Sequence, residues 1–378
     1  MRNRLSFLCG AMLLCWSFAV TFEATADQDI LLAKARRDTR TAEPGRTDRE
    51  RVPKKHQADE RPAPAEEPGD KAMTGSDAFP AAPADLSSLH FQLPPRPTLS
   101  GKTADEVLLR YRLKPHSSFG LSTDVEMQME MGVNGQQISI PMVMRMEGDV
   151  KVDSVNTDGS FSITVAFTRM KVEVPGAEGV SYDSSGDQKD TLAQFQPLNA
   201  CIGVPVTAKV TPLGQLLDLD YHVIAEALSR MEDAALMNQF QSMFKKSMES
   251  SFVQLSEAPV REGTVYEAGE ITVPVPDVGE IRQKIGYRIL CVSRDKKQVL
   301  MQPLIAMTLA PAPGAALTAE LSRPCASDAW LLFDTEEGNV MRSALVMGYG
   351  MTLSQGTERI TMNTDMLMKY EITSSGSK

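Results

Sequence analysis

A strict alternation of apolar and polar residues constrains this chain more than any other feature. Leu121, Val125, Met127, Met129, Met131 and Val133 take every second place, with Ser122, Asp124, Glu126, Gln128 and Glu130 between them. A period of two sends successive side chains to opposite faces of a strand, so this run has one buried and one wet face. Asn134-Gly135 follows. A two-residue hairpin turn needs positive φ at both central positions, and this pair adopts it readily. The return strand gathers Ile138, Ile140, Met142, Met144 and Met146 on one face. A second turn is expected at Asn156-Thr157-Asp158-Gly159, between Val150–Val155 and Ser160–Val174. Within that last run the apolar parity switches between Phe167 and Met170, which predicts a bulge near Thr168-Arg169.

Pro212-Leu213-Gly214 marks a further turn, between Val204–Thr211 and Gln215–Leu219. The period then changes. Ile224, Ala227, Leu228, Met231, Ala234, Ala235, Leu236, Met237, Phe240, Met243, Phe244 and Met248 follow helical spacing, and no Gly or Pro interrupts residues 221–252. Alternation resumes at Ile271, Val273 and Val275, at Tyr287, Ile289 and Cys291, and from Val299 to Leu309. The chain ends as it began, with Leu345, Met347, Tyr349, Met351 and Leu353 on one strand face. Ile360, Met362, Met366, Met368, Tyr370 and Ile372 return on the next. Two Met-rich hairpins thus bracket the domain. The expected class is mainly β (α+β): about ten antiparallel strands in a large curved sheet or half-barrel. One long amphipathic helix, residues 221–252, packs on the Met-rich face.

The ends of the chain speak to compartment. Arg2 and Arg4 precede an uncharged apolar run from Leu5 to Phe22, and Ala24-Thr25-Ala26 is a small-x-small site. Residues 1–26 therefore read as a secretory signal, cleaved rather than kept as an anchor. Residues 27–98 are rich in charge, Pro and Ala and read as a disordered linker. The folded domain is expected over 99–374, with a short tail at 375–378. The export reading places the protein in the periplasm, the cell envelope or outside the cell. Its possible partners are then a lipid or other apolar ligand, or a cell-envelope component. Cys201, Cys291 and Cys325 remain after the signal, an odd number that allows one disulfide at most and leaves the pairing open.

Composition removes several functions. The net charge is −10, with 39 Lys and Arg against 49 Asp and Glu, so no basic excess is available for nucleic acid. Only four His are present, and no G-x-S-x-G, H-E-x-x-H or C-x-x-C occurs. Ser100-Gly101-Lys102-Thr103 imitates the end of a phosphate loop, but Arg96 stands where the first Gly is needed. Ser154, Asn156, Asp158 and Gly159 imitate a calcium loop, but Val165 stands at its bidentate position. The reading is a non-enzyme without a cofactor or metal site.

What remains is Met, 22 in all. Met127, Met129 and Met131, with Met142, Met144 and Met146, project from strand faces, as do Met347, Met366 and Met368. Met231, Phe240 and Phe244 line the helix opposite. These twelve are the candidate ligand-binding residues. Thioethers fill irregular cores and adapt to varied apolar ligands. They also bind Cu(I), which makes a copper carrier the rival of a lipid or acyl-chain binder. A closed structural or envelope-interaction module is the other alternative.

The order of motifs resembles a domain family of unknown function in secreted bacterial proteins. The resemblance runs through Leu109-Arg110-Tyr111-Arg112-Leu113-Lys114-Pro115, the Asn134-Gly135 hairpin and Asn156-Thr157-Asp158-Gly159-Ser160. It continues through Tyr182-Asp183-Ser184-Ser185, Val206–Gly214, the helix and the last hairpin, covering about residues 105–373. His116 stands where the family often has Gly, and Tyr266 where it often has Trp. The architecture is similar to LolA/LppX-type half-barrels, which implies a lipid-carrying fold and no catalytic residues.

Overall fold

The computed structural model describes residue 79 and residues 86–133, 136–176, 181–186, 195–229, 241, 244–246, 248, 251–275, 278–312, 318–355 and 358–373. The chain divides into two compact units, and every described residue belongs to the one that includes residues 75–378. The expected signal, nearly all of the linker up to residue 85, the Asn134-Gly135 turn, residues 230–240 and the tail lie outside the described residues. Among the described residues, no helix is long and apolar enough to cross a membrane.

Twelve strands form one open antiparallel sheet. They are β1 (Ser118–Val133), β2 (Gln136–Val155), β3 (Phe161–Glu173), β4 (Ser181–Asp183), β5 (Val206–Val210) and β6 (Leu216–Asp220). After them come β7 (Val265–Val275), β8 (Gly279–Val292), β9 (Gln298–Pro311), β10 (Thr318–Asp334), β11 (Asn339–Gln355) and β12 (Glu358–Thr373). Two helices are described, α1 (Gln196–Asn199) and α2 (His222–Ser229). The strand order is β6-β5-β3-β2-β1-β12-β11-β10-β9-β8-β7, with β4 beside β3. The fold is mainly β, and the sheet does not close into a barrel.

The local chemistry explains most of these elements. The register sets Val133 opposite Gln136, the spacing of a two-residue turn. At Asn156–Gly159, the Asn156 and Ser160 backbones bond across the turn, Asp158 Oδ1 accepts from Ser160 N and Oγ, and Gly159 takes φ +80°. The residues that imitate a calcium loop are thus spent on the turn. β3 is bulged at Thr168, because Glu147 pairs with Arg169 and the adjacent Gly148 with Phe167. The bulge lets Phe161, Ile163, Val165, Phe167, Met170 and Val172 all reach the interior. The return strand and the Val150–Val155 run are one element, since β2 runs for 20 residues.

The two Met-rich hairpins do more than bracket the domain. β1 pairs with β12, so β2, β1, β12 and β11 form a continuous central platform. One cross-strand row reads Met142, Met127, Met366, Met347. The next reads Met144, Val125, Met368, Leu345. All eight side chains are between 0 and 4% exposed. Fully burying one side chain of this size contributes about 1.5–3 kcal/mol, so the platform is the chief apolar reservoir of the fold.

The outer face carries a second, smaller core. Cys291, Leu300, Trp330 and Ala344 pack with Leu93, Leu99 and Leu290, and Trp330 Nε1 donates to Pro94 O at 2.9 Å. Leu86–Ser88 form a 3-10 turn, and His90 N donates to Asp365. Residues 86–98, assigned to the linker from composition, are therefore part of the folded unit. Their few Leu side chains cover an outer face that is itself apolar around Trp330.

Candidate binding cleft at the seam of the sheet

The margins of the sheet lie far apart along the strand order but are bridged by one stretch of chain. Phe244 stacks edge-on against Phe167 of β3, with centroids 6.5 Å apart. Two residues on, Lys246 Nζ donates to Thr272 O of β7, the strand at the opposite end of the order. Leu255 N then donates to Leu213 O in the β5–β6 turn at 2.8 Å, and Tyr266 OH of β7 donates to Gln254 O at 3.3 Å. The sheet must curl for residues 244–255 to reach both margins, and a large twisted sheet does so readily. Tyr111 fills the interior beneath this seam. Its ring meets Phe161, Phe252 and Phe333 at 6.0–6.4 Å, and its hydroxyl donates to Val253 O at 3.1 Å. Gly214 (φ +87°) is required there, since a Cβ would overlap Val253 O.

A cleft of about 410 Å³ opens in this seam, lined by Lys246, Phe252, Gln254, residues 268–272, Ile285 and Tyr287. Three local features create it. β7 is an edge strand, so the backbone of Ala268–Thr272 meets the cleft instead of another strand. The ladder shifts between Glu267 and Gly269, which turns the edge. Gly269, opposite Ile285, contributes no side chain, and the nearest atoms to a Cβ there belong to the Gln254 amide at 3.5 Å or more. One part of the wall is apolar, with Phe252 and Tyr287 3% and 1% exposed beside Ile271 and Ile285, and Lys246, Gln254, Glu270 and Thr272 make the rest of the lining polar.

The residues proposed from sequence are placed otherwise. Met127, Met129, Met131, Met142, Met144, Met146, Met347, Met366 and Met368 lie together on the inner face, and Phe244 lies on the seam segment. All ten are 0–4% exposed. Met231 and Phe240 lie outside the described residues, as does the middle of the expected 221–252 helix; α2 covers its start, and residues 241, 244–246 and 248 are helical. None of the ten lines the cleft. Sequence reasoning missed the cleft because it joins β7–β8 to residues 246–254 through long-range curvature. The signals that could have pointed to it are Gly269 in a strand run and Lys246 in a helix run.

Acid–base chemistry is sparse. His222 Nδ1 lies 2.5 Å from Asp220 Oδ1 on the exposed start of α2, and this contact lowers the Asp220 carboxyl below its ordinary value. Among the described residues no three His, Cys, Asp or Glu side chains cluster as a metal group. Cys201, Cys291 and Cys325 are unpaired thiols. Burial pushes Cys201 and Cys325 up to about 12 and raises Cys291, so none is an activated nucleophile.

No family model matches the chain, and no curated protein matches it. Solved structures do. A lipovitellin structure on lipid–protein interactions is 10% identical with a TM-score of 0.35, covering 70% of this chain; the chain spans 26% of lipovitellin. A DUF1329 family protein from Desulfovibrio piger is 9% identical with a TM-score of 0.12, over 68% of this chain and 87% of that one. A putative outer membrane lipoprotein-sorting protein domain from Vibrio parahaemolyticus is 9% identical with a TM-score of 0.13, over 68% and 86%. At TM-scores below 0.5, the reading of the cleft rests on its own geometry.

Proposed function

We propose that the chain is an exported, non-catalytic binding protein that takes an apolar ligand of acyl-chain type into the seam cleft. The observation that carries this reading is the cleft itself: about 410 Å³, lined in part by Phe252, Ile271, Ile285 and Tyr287, beside the edge strand β7. Its volume falls in the range of small-molecule sites, which are mostly apolar with a few placed polar groups. Export is supported by the basic, apolar and Ala-Thr-Ala parts of residues 1–26. The Met platform then serves as the packed interior that holds the sheet in its curl. The copper reading would need thioethers to converge on one ion. Strands about 4.8 Å apart set the four Met of one row side by side over about 14 Å instead.

The test is saturation binding of a fluorescent hexadecanoyl probe to the mature protein. Ile285→Trp fills the cleft from β8, and Ile271→Trp does so from the less packed edge strand. Each is expected to weaken binding at least about tenfold while the cooperative unfolding transition persists. Saturable binding that neither variant alters, or no binding by the wild type, contradicts the proposal.

A further inference from the structure

The segment that leads into the domain carries a recognition pattern on the outer face of the sheet, apart from the cleft. Residues 93–97 read Leu-Pro-Pro-Arg-Pro, so each is a proline or stands directly before one. Proline fixes φ at about −65° and holds the residue before it extended, which commits the run to a polyproline II path. That helix repeats roughly every three residues, so Leu93 and Arg96 fall on one edge. Both meet the sheet. Leu93 packs against the cluster of Cys291, Leu300, Trp330 and Ala344. Arg96 donates to both carboxylate oxygens of Asp328, at 2.8 and 3.1 Å. Between these contacts, Trp330 Nε1 donates to Pro94 O at 2.9 Å. Asp328 is oriented for its role, because it also accepts from Gln302 Nε2 at 3.0 Å and from Ala329 N at 2.8 Å. None of these residues lines the cleft.

We infer that this face is a docking groove for an arginine-bearing polyproline segment, and that residues 93–97 fill it as a latch. Aromatic grooves take polyproline segments in this manner, and the stiff helix loses little freedom when it docks. The Arg96–Asp328 pair fixes the register of the segment in the groove. Recognition resides in Trp330, Asp328 and the apolar cluster rather than in the continuity of the chain. The groove therefore takes the same segment from a separate molecule.

The only Trp besides Trp330 is Trp16, inside the expected signal, so the emission of the mature protein reports the groove. Leu93→Asp with Arg96→Glu sets two acids against the apolar cluster and Asp328. This variant is expected to lift the segment and shift the emission to the red while cooperative unfolding persists. A synthetic peptide of residues 91–99 then restores the emission in a saturable titration. The peptide with Arg96→Ala binds at least about threefold more weakly, the scale of a part-exposed ion pair. The peptide with Pro94, Pro95 and Pro97 all replaced by Ala binds about tenfold more weakly, since its free chain is less ordered. Should the double variant lose its cooperative transition, Arg96→Glu alone carries the same titration. An emission that the substitutions leave unshifted overturns the inference. So does a shifted emission that the peptide fails to restore, or one that all three peptides restore equally well.

Discussion

At the scale of single residues, a few polar groups fix how far the sheet bends. Arg323 leaves the outer face of β10 and lies across β11, where Gly348 and Gly350 offer no side chains to obstruct it. Its guanidinium donates to Tyr349 O, Thr364 O and Asp365 Oδ1, the last at 2.5 Å. Asp365 also accepts from His90 N, so one ion pair ties β10, β12 and the segment before β1 together. Arg323→Ala leaves Asp365 13% exposed beside a void and is expected to cost about 2 kcal/mol in urea unfolding. Gly348→Ala costs a similar ~2 kcal/mol, because its Cβ would overlap Asp365 Oδ1. Asp183 is a pH-dependent fastener on the other side. Arg169, half-buried beside the β3 bulge, donates to its carboxylate at 2.8 Å, and Ser185 adds two more bonds; together these hold the carboxyl well below the usual carboxylate range. A carboxyl with a lowered folded pKa stabilises the fold above its unfolded value near 4 and loses that contribution as pH falls further. Asp183→Asn is therefore expected to be less stable than wild type at pH 7 and to converge with it on acidification below pH 4. Parallel urea titrations across that range check the sign.

At the scale of elements, the legibility of the sequence follows from whether a strand is regular. β1 and β2 keep the most regular alternation, so their faces and the first hairpin turn can be read from letters alone, whereas β11 is buried on both faces from Ser343 to Thr352. The β3 bulge is legible because the parity switch falls inside one apolar run. β10 is not, because its ladder shifts between Glu320 and Arg323 and again between Arg323 and Ala326, around Pro324. Those bulges send Arg323 outward and erase the period of two that would mark a strand. The Met rows give the element-scale prediction. Met127→Ala opens a void in the Met142–Met127–Met366–Met347 row and is expected to cost about 3 kcal/mol. Met127→Leu, which nearly conserves volume, should cost less than about 1.5 kcal/mol. Both should bind the acyl probe as the wild type does, since Met127 is not a lining residue of the cleft. Loss of binding in Met127→Leu would return the ligand to the Met face.

At the scale of the whole molecule, the pairing of the first and last strands closes the topology. β1 and β12 share fourteen register pairs, from Gly120–Thr373 to Val133–Ile360. Removing residues 358–378 would leave β1 and β11 as long, apolar, unpaired edges, which invite association between chains. That truncated protein is expected to lose cooperative unfolding and to aggregate, as light scattering would report. The seam is the opposite case, a margin held by side chains and one crossing segment rather than by a ladder, and no local pattern announces it. It is where an open sheet of this curvature offers room without breaking its core. Hydrogen exchange of the mature protein with and without saturating dodecanoate tests that claim most directly. Ligand-dependent protection confined to residues 252–254, 268–272 and 285–287 is the predicted result. Protection centred on β1, β2 and β12, or no change anywhere, would contradict it.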